Sequence, residues 1–417
     1  MLNRPRILFL THRFPYPPNR GDRIRSFRLL EALAEVADVD LISLYEQEPS
    51  EEYRSVLNNL CRQTCFIPWR PYGRWIKAAY SLAIGKSMTE GLFYSQRLYR
   101  AVRQWASENQ YDRVVAFCSS MYPYTCIPEL SGVERIVDLV DVDSQKWFDY
   151  ASVCQFPWSY WKKLIFLTEG RRLRRKEIEI ATQSFRTLVV SQDEAQLYRG
   201  FCSDAVQNKI IPISNGVDTD FFSPDGAFPH ESILKWRCVF VGALDYRANL
   251  DGIDWFLSRI WSDIRSRFPD LQLDLVGSQP GETARGFTRY PGVNLVGPVP
   301  DVRPYLQRSE VVVIPLRVAR GIQNKALEAM AMAKPVVATP MSLQGIDESV
   351  SRYAYSYESA KDWIDGLSSV LSVSDQERQE RADSGRNALI QLYPWPVRFA
   401  PIKDLVRDLE TQTFQNG

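Results

Sequence analysis

The sequence predicts an α/β protein that contains two doubly wound parallel sheets. Short apolar runs alternate along the chain with longer amphipathic stretches, as in repeated strand–helix–strand units. The length of 417 residues exceeds what one ordinary core supports, so two domains are expected. An Asn-Gly turn at Asn215 and Gly216, followed by a loop-like stretch to Pro229, separates the two halves.

Continuous apolar runs indicate the strands, because parallel strands are buried on both faces. In the first half we predict strands at 7–10, 39–44, 65–68, 113–117, 135–140 and 187–190. In the second half we predict strands at 238–241, 271–276, 293–296, 311–314 and 335–338. The predicted domains are 1–212 and 213–392, both Rossmann-like, and 393–417 is a final helix entered through a proline turn. Ligands are expected in a cleft at the carboxyl ends of the strands.

Composition excludes several classes of protein. The formal net charge of +1 gives no global support for nucleic-acid binding. No apolar run reaches the roughly 18 residues of a membrane span, and the first apolar run is too short for a signal-peptide core. The seven cysteines are scattered and there are two histidines, so we expect no zinc site and no disulfide framework. A reducing cytoplasm is the expected location.

The stretch 314–338 carries the clearest ligand-binding pattern, a buried strand, a polar turn, a helix and a second strand. The turn places a polar group at the helix N-terminus: Gly321, Gln323, Asn324 and Lys325. Free N–H groups and the positive end of the helix dipole favour an anion there, and Arg317 and Arg320 precede the turn. Glu328, one turn later, can accept hydroxyl hydrogen bonds. This pattern suits a nucleoside diphosphate.

A second polar turn follows the predicted strand 238–241. Gly242 lets the backbone approach a ligand, and Arg247 and Asn249 are candidates to reach a phosphate. The alternative interpretation is an ordinary turn into a helix that begins near Asn249.

The long loop at 11–25 follows the first predicted strand and is stiffened by three prolines. Arg20, Gly21 and Asp22 are candidates for a loop that closes over a phosphate or an acceptor, since long loops in compact domains are often functional. The alternative is a strand-to-helix loop with solvated charges.

Carboxylates stand at the end of the predicted strand 135–140, where catalytic groups tend to lie. Asp141 is the candidate to hold an acceptor hydroxyl or to stabilise positive charge on a sugar ring. The alternative is a helix cap, which Asp143 or Ser144 would serve. Nothing else in the chain completes a magnesium site with these acids.

The segment 156–176 combines aromatic residues with seven cations and one acid between Lys162 and Lys176. One interpretation is a helix on an anionic membrane. The other is a solvated helix whose aromatic residues pack inward.

These motifs resemble glycosyltransferase family 4, and within it the sugar transferases of bacterial exopolysaccharide and exosortase-type systems. The resemblance covers nearly the whole chain. It depends on 314–338, on FPYPPNRGD at 14–22, VDVDS at 140–144, VVS at 189–191, SNGVDTDFF at 214–222 and GALDY at 242–246. It implies a GT-B fold with a nucleotide-sugar donor in the C-terminal domain and an acceptor in the N-terminal domain. It also implies retention of anomeric configuration, no obligatory metal, and a last helix that crosses back to the first domain.

Two positions depart from the family pattern. Glu328 matches the second carboxylate of the family's Glu-x7-Glu motif, which binds the donor ribose, but the first carboxylate falls at Arg320. The usual Arg and Lys that clamp the diphosphate are absent, so we expect Arg317, Arg320 and Lys325 to replace them. Asp141 stands near the place of the family's histidine. A guanidinium at 320 favours phosphate or a carboxylated sugar.

The leading hypothesis is a cytoplasmic enzyme that transfers a sugar to a glycan or a lipid-linked acceptor at the inner membrane surface. The first alternative is a non-catalytic sugar-nucleotide-binding or scaffold subunit. The second is a nicotinamide-dependent oxidoreductase, which is disfavoured because no Gly-x-Gly-x-x-Gly follows the first strand of either half.

Overall fold

The computed structural model describes residues 4–69, 73–152, 160–229 and 232–415. The chain divides into two compact units. Unit 1 comprises Met1–Ser214 and Phe399–Gly417, and unit 2 comprises Asn215–Arg398. The chain thus leaves unit 1 after Ser214 and returns to it at Phe399. The boundaries predicted from the sequence were 212/213 and 392/393.

Unit 1 contains a parallel sheet and the helices that connect its strands. The strands are β1 (Arg6–Thr11), β2 (Asp38–Tyr45), β3 (Gln63–Pro68), β4 (Arg113–Phe117), β5 (Glu134–Val140), β6 (Arg186–Val189) and β7 (Ile210–Pro212). The helices before residue 214 are α1 (Gly21–Val36), α2 (Glu51–Leu60), α3 (Arg74–Ala83), α4 (Met88–Leu92), α5 (Gln96–Glu108), α6 (Asp143–Ser152), α7 (Tyr160–Gln183), α8 (Gln192–Arg199) and α9 (Asp204–Gln207). Two 3₁₀ turns lie at Tyr122–Thr125 and Pro128–Leu130.

The strand order of unit 1 across the described residues is β3-β2-β1-β4-β5-β6-β7, and each neighbouring pair is parallel. The order reverses between β1 and β4, so the loops after these two strands border the crevice where doubly wound sheets bind ligands. Apolar residues such as Leu8, Val114 and Val137 fill the core and are fully buried. The strands predicted for this half are confirmed. The sequence missed β7, a short strand that ends in Pro212.

Unit 2 contains a second parallel sheet. Its strands are β8 (Arg237–Val241), β9 (Gln272–Val276), β10 (Val293–Gly297), β11 (Val311–Ile314), β12 (Val336–Ala338) and β13 (Tyr355–Ser356). Its helices are α10 (Arg247–Phe256), α11 (Ser262–Arg267), α12 (Glu282–Gly286), α13 (Arg303–Arg308), α14 (Asn324–Ala331), α15 (Pro340–Leu343), α16 (Glu348–Ser351), α17 (Ala360–Ser372), α18 (Asp375–Leu392) and α19 (Trp395–Arg398). A π-helical turn at Leu257–Trp261 joins α10 to α11, and a 3₁₀ turn at Phe287–Arg289 follows α12.

In the described part of unit 2 the strand order is β10-β9-β8-β11-β12-β13, again with parallel neighbours. Here the order reverses between β8 and β11. The predicted fold class, two Rossmann-like parallel sheets in a mixed α/β chain, is therefore confirmed. The sequence missed β13 because two residues carry no periodic signal.

The final helix, α20 (Ala400–Gln415), belongs to unit 1 and packs on α1. Lys403 forms an ion pair with Glu35 of α1. Arg25, also on α1, places its guanidinium 5.5 Å from the centre of the Phe399 ring. The prediction that the last helix returns to the first half of the chain is confirmed.

A buried ion pair holds α1 to the middle of the unit 1 sheet. Arg25 Nε lies 2.8 Å from an oxygen of Asp138 on β5, and both side chains are fully buried. Arg25 Nη1 also donates to the carbonyl oxygen of Ile213 at 2.9 Å. These bonds connect α1 to β5 and to Ile213, the residue that follows β7, in a single hydrogen-bonded network.

Among the described residues, no helix has the length and apolar character needed to cross a membrane.

Candidate functional site

Two polar loops meet at the switch point of unit 2. One loop joins β8 to α10 and the other joins β11 to α14, and β8 and β11 are paired in the sheet. The loops therefore lie side by side at the carboxyl edge. We call this place the β8/β11 crevice and define it by Gly242, Asn249, Lys325 and Glu328.

The N-terminus of α14 is built as the sequence predicts. The helix begins at Asn324, and Gln323 is its N-cap. Gly321 adopts the left-handed conformation with φ of 60°, which allows the sharp turn into the helix. Gln323 Nε2 donates to the carbonyl oxygen of Arg320 at 3.1 Å, and Asn324 Oδ1 accepts from Asn215 Nδ2 at 3.0 Å. These bonds orient the turn. Ala326 N donates to the carbonyl oxygen of the cap residue Gln323 at 2.9 Å, so the N–H groups of Asn324 and Lys325 are the first-turn donors without a partner within the helix.

Lys325 connects the two loops. Its Nζ donates to Asn249 Oδ1 at 2.6 Å, and Asn249 Nδ2 donates to the carbonyl oxygen of Ala243 at 2.8 Å. The ammonium lies 5.2 Å from the centre of the Phe240 ring. A Cβ at position 242 would stand 3.0 Å from Asn249 Nδ2 and 3.1 Å from the Phe240 ring, so Gly242 makes room for these two side chains.

Lys325 and Glu328 are half-buried, and burial shifts the pKa of both. Burial lowers the pKa of Lys325 from 10.5 to about 8, although the Glu328 carboxylate opposes this shift. Burial raises the pKa of Glu328 from 4.5 to about 7, although Lys325 opposes that shift. Each charge is therefore held in the crevice at a cost to folding, which is common where a site serves a ligand.

The arginines predicted for this site have different surroundings. Arg317 forms a bidentate ion pair with Asp251 of α10, at 2.6 and 3.0 Å, and both side chains are exposed. Arg317 and Lys325 thus have separate partners, so the described contacts do not show the predicted convergence of these two cations. Arg247 is exposed at the first residue of α10, whereas Asn249, two residues later, points inward. Sequence reasoning missed Asp251.

Two hydroxyl groups fix the backbone that leads into the second loop. Ser342 Oγ donates to the carbonyl oxygen of Ile314 at 2.7 Å and accepts from Leu316 N at 3.3 Å. Thr339 donates to the carbonyl oxygen of Leu316. Sequence reasoning missed both residues, although the Thr-Pro pair at the start of α15 is a helix-start signal.

At the carboxyl edge of unit 1, Asp22 is the centre of a charge cluster. Arg13 Nη1 lies 2.6 Å from Asp22, Arg20 Nε lies 3.6 Å from it, and His12 Nε2 lies 3.8 Å from it. Burial tends to raise the pKa of Asp22, but Arg13 and His12 outweigh burial and lower it. Burial, with Arg13 and Arg20, lowers the pKa of His12 to about 4, so His12 is neutral at pH 7. Gly21 is the first residue of α1, so Asp22 lies in the first turn of this helix.

Asp141 and Asp143 hold a lysine that sequence reasoning missed. Lys146 Nζ lies 2.9 Å from an Asp141 oxygen and 3.2 Å from an Asp143 oxygen. Burial opposes the charge, but the two carboxylates outweigh burial and raise the pKa of Lys146 well above its ordinary value. A charged ammonium thus accompanies Asp141 at the end of β5.

The turn that carries Asp141 is strained and tightly held. Val140 is the last residue of β5, and Cys118 is the first residue after β4. They adopt φ values of 67° and 75°, a conformation that non-glycine residues rarely take. Asp138 binds both, because its Oδ1 accepts from Val140 N at 3.0 Å and its carbonyl oxygen accepts from Cys118 N at 2.8 Å. Strain of this kind is often found at functional sites.

The pKa of Cys118 reflects its burial and the carboxylates near it. Burial raises the pKa of Cys118 well above 9.0, and charges on Asp143, Asp138 and Asp22 raise it further. Strands β1, β4 and β5 are parallel neighbours, so the loops that follow them, which carry Asp22 and Asp141, lie at one edge of the sheet.

Two buried glutamates support the same turn from behind. Glu194 accepts from Val142 N at 2.7 Å, and Glu177 accepts from Ser144 N at 2.9 Å and from the Ser144 hydroxyl. Burial raises the pKa of Glu177 to about 8. Helix α6 begins at Asp143, so Ser144 lies inside the helix and is not its cap.

The predicted basic segment 156–176 divides into two parts. Residues 156–159 lie outside the described residues. In the second half of α7, Arg172 binds carbonyl oxygens of Leu82 and Lys86, and Arg174 lies over the Phe201 ring at 3.8 Å. Lys176 pairs with Glu90 and Glu179. These three cations are used inside unit 1, whereas Lys162, Lys163, Arg171 and Arg175 are exposed.

The described residues contain no group of three or more His, Cys, Asp or Glu side chains placed to hold a metal ion. Six cysteines in the described part of the chain are free: Cys61, Cys65, Cys118, Cys126, Cys202 and Cys238.

Residues 235–372, which contain the β8/β11 crevice, match the family model described as glycosyl transferases group 1. Two curated relatives match with low identity. An uncharacterized 44.6 kDa protein in the cps region of Klebsiella pneumoniae is 23% identical over 349 residues, which is 82% of this chain and 84% of that protein. An uncharacterized glycosyltransferase of Haemophilus influenzae is 22% identical over 249 residues, which is 55% of this chain and 67% of that protein.

Solved structures resemble the chain over nearly its full length. Sucrose-phosphate synthase from Thermosynechococcus elongatus matches with a TM-score of 0.67 and 17% identity, covering 98% of this chain and 100% of that chain. Anabaena Alr3699/HepE in complex with UDP and glucose matches with a TM-score of 0.65 and 12% identity, covering 97% of this chain and 99% of that chain. Residues 235–372 thus match the glycosyl transferases group 1 family, and the predicted resemblance to glycosyltransferases is confirmed at this level.

Proposed function

We propose that this protein is a retaining glycosyltransferase of family 4, which transfers a sugar from a nucleoside-diphosphate sugar to a glycan or lipid-linked acceptor during exopolysaccharide synthesis. The observation that carries the proposal is the β8/β11 crevice, where Lys325, the α14 N-terminus and Glu328 lie within one helical turn of each other. This crevice lies inside the domain that matches the glycosyl transferases group 1 family.

The crevice has the charges that a nucleoside diphosphate requires. The Lys325 ammonium and the first two N–H groups of α14 supply positive potential for the diphosphate. A bound dianion would favour the protonated form of Lys325 and offset the burial that lowers its pKa. Glu328, one turn along the same helix, accepts hydrogen bonds from the ribose hydroxyls, and its carboxylate form makes these bonds strong.

The same groups stabilise the transition state. As the bond between the sugar and the diphosphate breaks, negative charge grows on the leaving group, and Lys325 and the helix N-terminus are already oriented toward it. Arg320 precedes this turn and extends the positive region toward the donor sugar. The acceptor hydroxyl attacks from the face that the diphosphate leaves and passes its proton to the departing phosphate oxygen, so the products are the nucleoside diphosphate and a glycoside with retained anomeric configuration.

On the acceptor side, Asp141 aligns the attacking hydroxyl. Its partner Lys146 lies 2.9 Å from this carboxylate and fixes its position, and Asp138, Glu177 and Glu194 hold the turn on which it stands. A carboxylate fixed in this way accepts a hydrogen bond from an acceptor hydroxyl without reorganising. This role needs no metal ion.

The relatives support the biological setting. The Klebsiella pneumoniae relative is described by its place in a cps region, and the HepE structure holds UDP and glucose. A polysaccharide acceptor and a uridine nucleotide donor are therefore the first substrates to test. The membrane contact through 156–176 belongs to the same proposal, because a lipid-linked acceptor would lie at the inner membrane surface.

Ligand-linked thermal stabilisation tests the proposal. UDP-, GDP- and dTDP-sugars and NAD are added separately to the purified protein, and at about 100 times Kd a true ligand stabilises by about 2.7 kcal/mol. We expect a nucleoside-diphosphate sugar to stabilise wild type and to stabilise Glu328→Ala less, with the exposed Glu358→Ala as the matched control. Stabilisation by NAD alone would contradict the proposal.

Donor hydrolysis separates an enzyme from a binding subunit. Release of the nucleoside diphosphate from the stabilising donor, with or without an acceptor, is expected from a transferase. Binding without hydrolysis or transfer would favour the alternative, a non-catalytic binding subunit. That alternative is considered because Arg320 stands where the family has its first carboxylate.

A further inference from the structure

Helix α3 presents an apolar face to solvent. Ile76 and Tyr80 are 76% and 65% exposed, and Ile84, at the end of the helix, is also exposed. The spacing of four residues places these side chains on one face of the helix. Large apolar side chains aligned in this way usually indicate an interaction surface rather than ordinary exposure.

The beginning of α7 has the same character. Trp161 is 75% exposed, and Leu164 and Ile165 are also exposed. Positions three and four residues apart lie on one face of a helix, so these side chains form a second apolar stripe.

The two helices are held together by specific bonds. Arg172 of α7 donates from Nη1 to the carbonyl oxygens of Leu82 and Lys86, at 2.7 and 2.8 Å, at the end of α3. Glu169, one turn earlier, accepts from Met88 N at 2.6 Å, where α4 begins. Both apolar stripes therefore start from one junction, with Ile84 two residues from Lys86 and Ile165 two turns from Arg172.

The charge around both stripes has a single sign. Residues 73–86 and 160–168 contain no acid, although the whole chain holds nearly equal numbers of acids and bases. Lys77, Lys86, Lys162 and Lys163 are exposed in these segments. Exposed lysines beside exposed apolar side chains complement a surface that is apolar inside and negatively charged outside.

We propose that α3 and the start of α7 form a docking surface for an anionic phospholipid bilayer. The docking surface is defined by Ile76, Tyr80 and Ile84 on one helix and Trp161, Leu164 and Ile165 on the other. The apolar side chains insert at the headgroup boundary, and the lysines contact anionic headgroups. A second copy of the chain is a poorer occupant, because two cationic surfaces would repel each other.

This inference deepens the proposed function by assigning the membrane as the partner of unit 1. It also changes the predicted membrane segment. The second half of α7, which carries Arg172, Arg174 and Lys176, is occupied by contacts within unit 1, and α3 takes its place. Vesicle binding requires neither donor nor transfer, so its failure and the failure of the proposed function are distinguishable.

Vesicle co-sedimentation of the full chain tests the apolar stripes. Wild type is expected to bind vesicles of phosphatidylcholine with phosphatidylglycerol and to bind phosphatidylcholine vesicles weakly. The pairs Ile76→Gln with Tyr80→Gln and Trp161→Gln with Leu164→Gln should each reduce the partition coefficient by about tenfold or more. The exposed Ile233 of unit 2 supplies the control Ile233→Gln, which should bind like wild type.

Charge reversal tests the lysines. Lys162→Glu with Lys163→Glu should weaken binding to the anionic vesicles by more than about fivefold per residue, and added salt should weaken wild-type binding. The exposed Lys361 of unit 2 supplies the control Lys361→Glu. The midpoint of urea unfolding is measured for every variant, and a wild-type midpoint shows that the variant is folded.

Three results would overturn the proposal. The first is no wild-type binding to anionic vesicles, and the second is equal binding to neutral and anionic vesicles. The third is a change of oligomeric state, seen by size-exclusion chromatography, in the apolar variants without loss of vesicle binding, which would assign these stripes to a second copy.

Discussion

Replacing Glu328 with Gln is expected to stabilise unit 2 and to weaken donor binding in the same protein. Burial raises the pKa of Glu328 from 4.5 to about 7, so the folded chain holds this proton more tightly than the unfolded chain does. Between these pH values the folded state binds more protons, and stability falls as the pH rises. The contribution of the protonated group is complete below pH 4.5 and is lost by about pH 7. Gln has no proton to lose.

The magnitude follows from the same pKa. Each tenfold change in proton affinity corresponds to about 1.4 kcal/mol, so a rise from 4.5 to about 7 corresponds to about 3 kcal/mol. Solvent screens a half-buried group in part, and Gln loses the attraction to Lys325, so we expect a gain of about 1 to 3 kcal/mol near pH 8. At about pH 5 the gain should be under about 1 kcal/mol. Loss of a charged acceptor should weaken donor binding by about ten- to a hundredfold.

Urea unfolding at about pH 5 and about pH 8, together with donor titration by calorimetry, measures both effects. The matched control is Glu358→Gln, an exposed carboxylate of unit 2, which should change neither stability nor donor binding. If the free energy of unfolding of Glu328→Gln differs from that of wild type by the same amount at both pH values, the argument about ionisation is refuted. Unchanged donor affinity would refute the ribose assignment.

Two further changes test unit 1. Arg25→Met leaves the buried Asp138 carboxylate without its cation, so the free energy of unfolding measured in urea should fall by about 3 to 5 kcal/mol. The double variant Arg25→Met with Asp138→Leu should recover part of this loss. A free energy of unfolding for Arg25→Met within about 1 kcal/mol of wild type would show that the ion pair does not stabilise unit 1. Lys146→Met removes the cation between Asp141 and Asp143 and should slow sugar transfer by about tenfold or more without changing UDP binding. Lys146→Arg should restore part of the rate, and equal rates for all three proteins would exclude a role in positioning Asp141.

The strands and the loops that follow them could be predicted from the sequence because each depends on neighbours along the chain. Continuous apolar runs identify buried strands, and polar groups at their ends identify the ligand edge. The prediction therefore selected the loops after β8 and β11, which border the switch point of unit 2. It could not determine which side chains face inward. Arg247 and Asn249 were equal candidates from the sequence. Side chains two positions apart on a helix point in nearly opposite directions, and of these two Asn249 is the one that binds Lys325.

The remaining features depend on residues that are far apart in sequence. Asp251 pairs with Arg317, and no local pattern relates the two positions. In the sequence Lys146 is one lysine in a polar stretch. Its role is visible only in the folded chain, where the turn after β5 places Asp141 next to Lys146 on α6. The sequence could not show which cations of α7 are exposed and which are bound within unit 1. The carbonyl oxygens that bind Arg172 belong to α3 and to the residues just after it, which are far away along the chain.

The return of the chain to unit 1 at Phe399 has a consequence for biosynthesis. Unit 2 is one uninterrupted segment, Asn215–Arg398, whereas unit 1 is built from the segments on both sides of unit 2. During translation the sheet of unit 1 is complete by Pro212, but α1 stays uncovered until α20 is made. Unit 2, the domain that precedes α20, is therefore synthesised in full before unit 1 can close, and truncation at the C-terminus exposes α1 while every residue of the unit 2 sheet is kept.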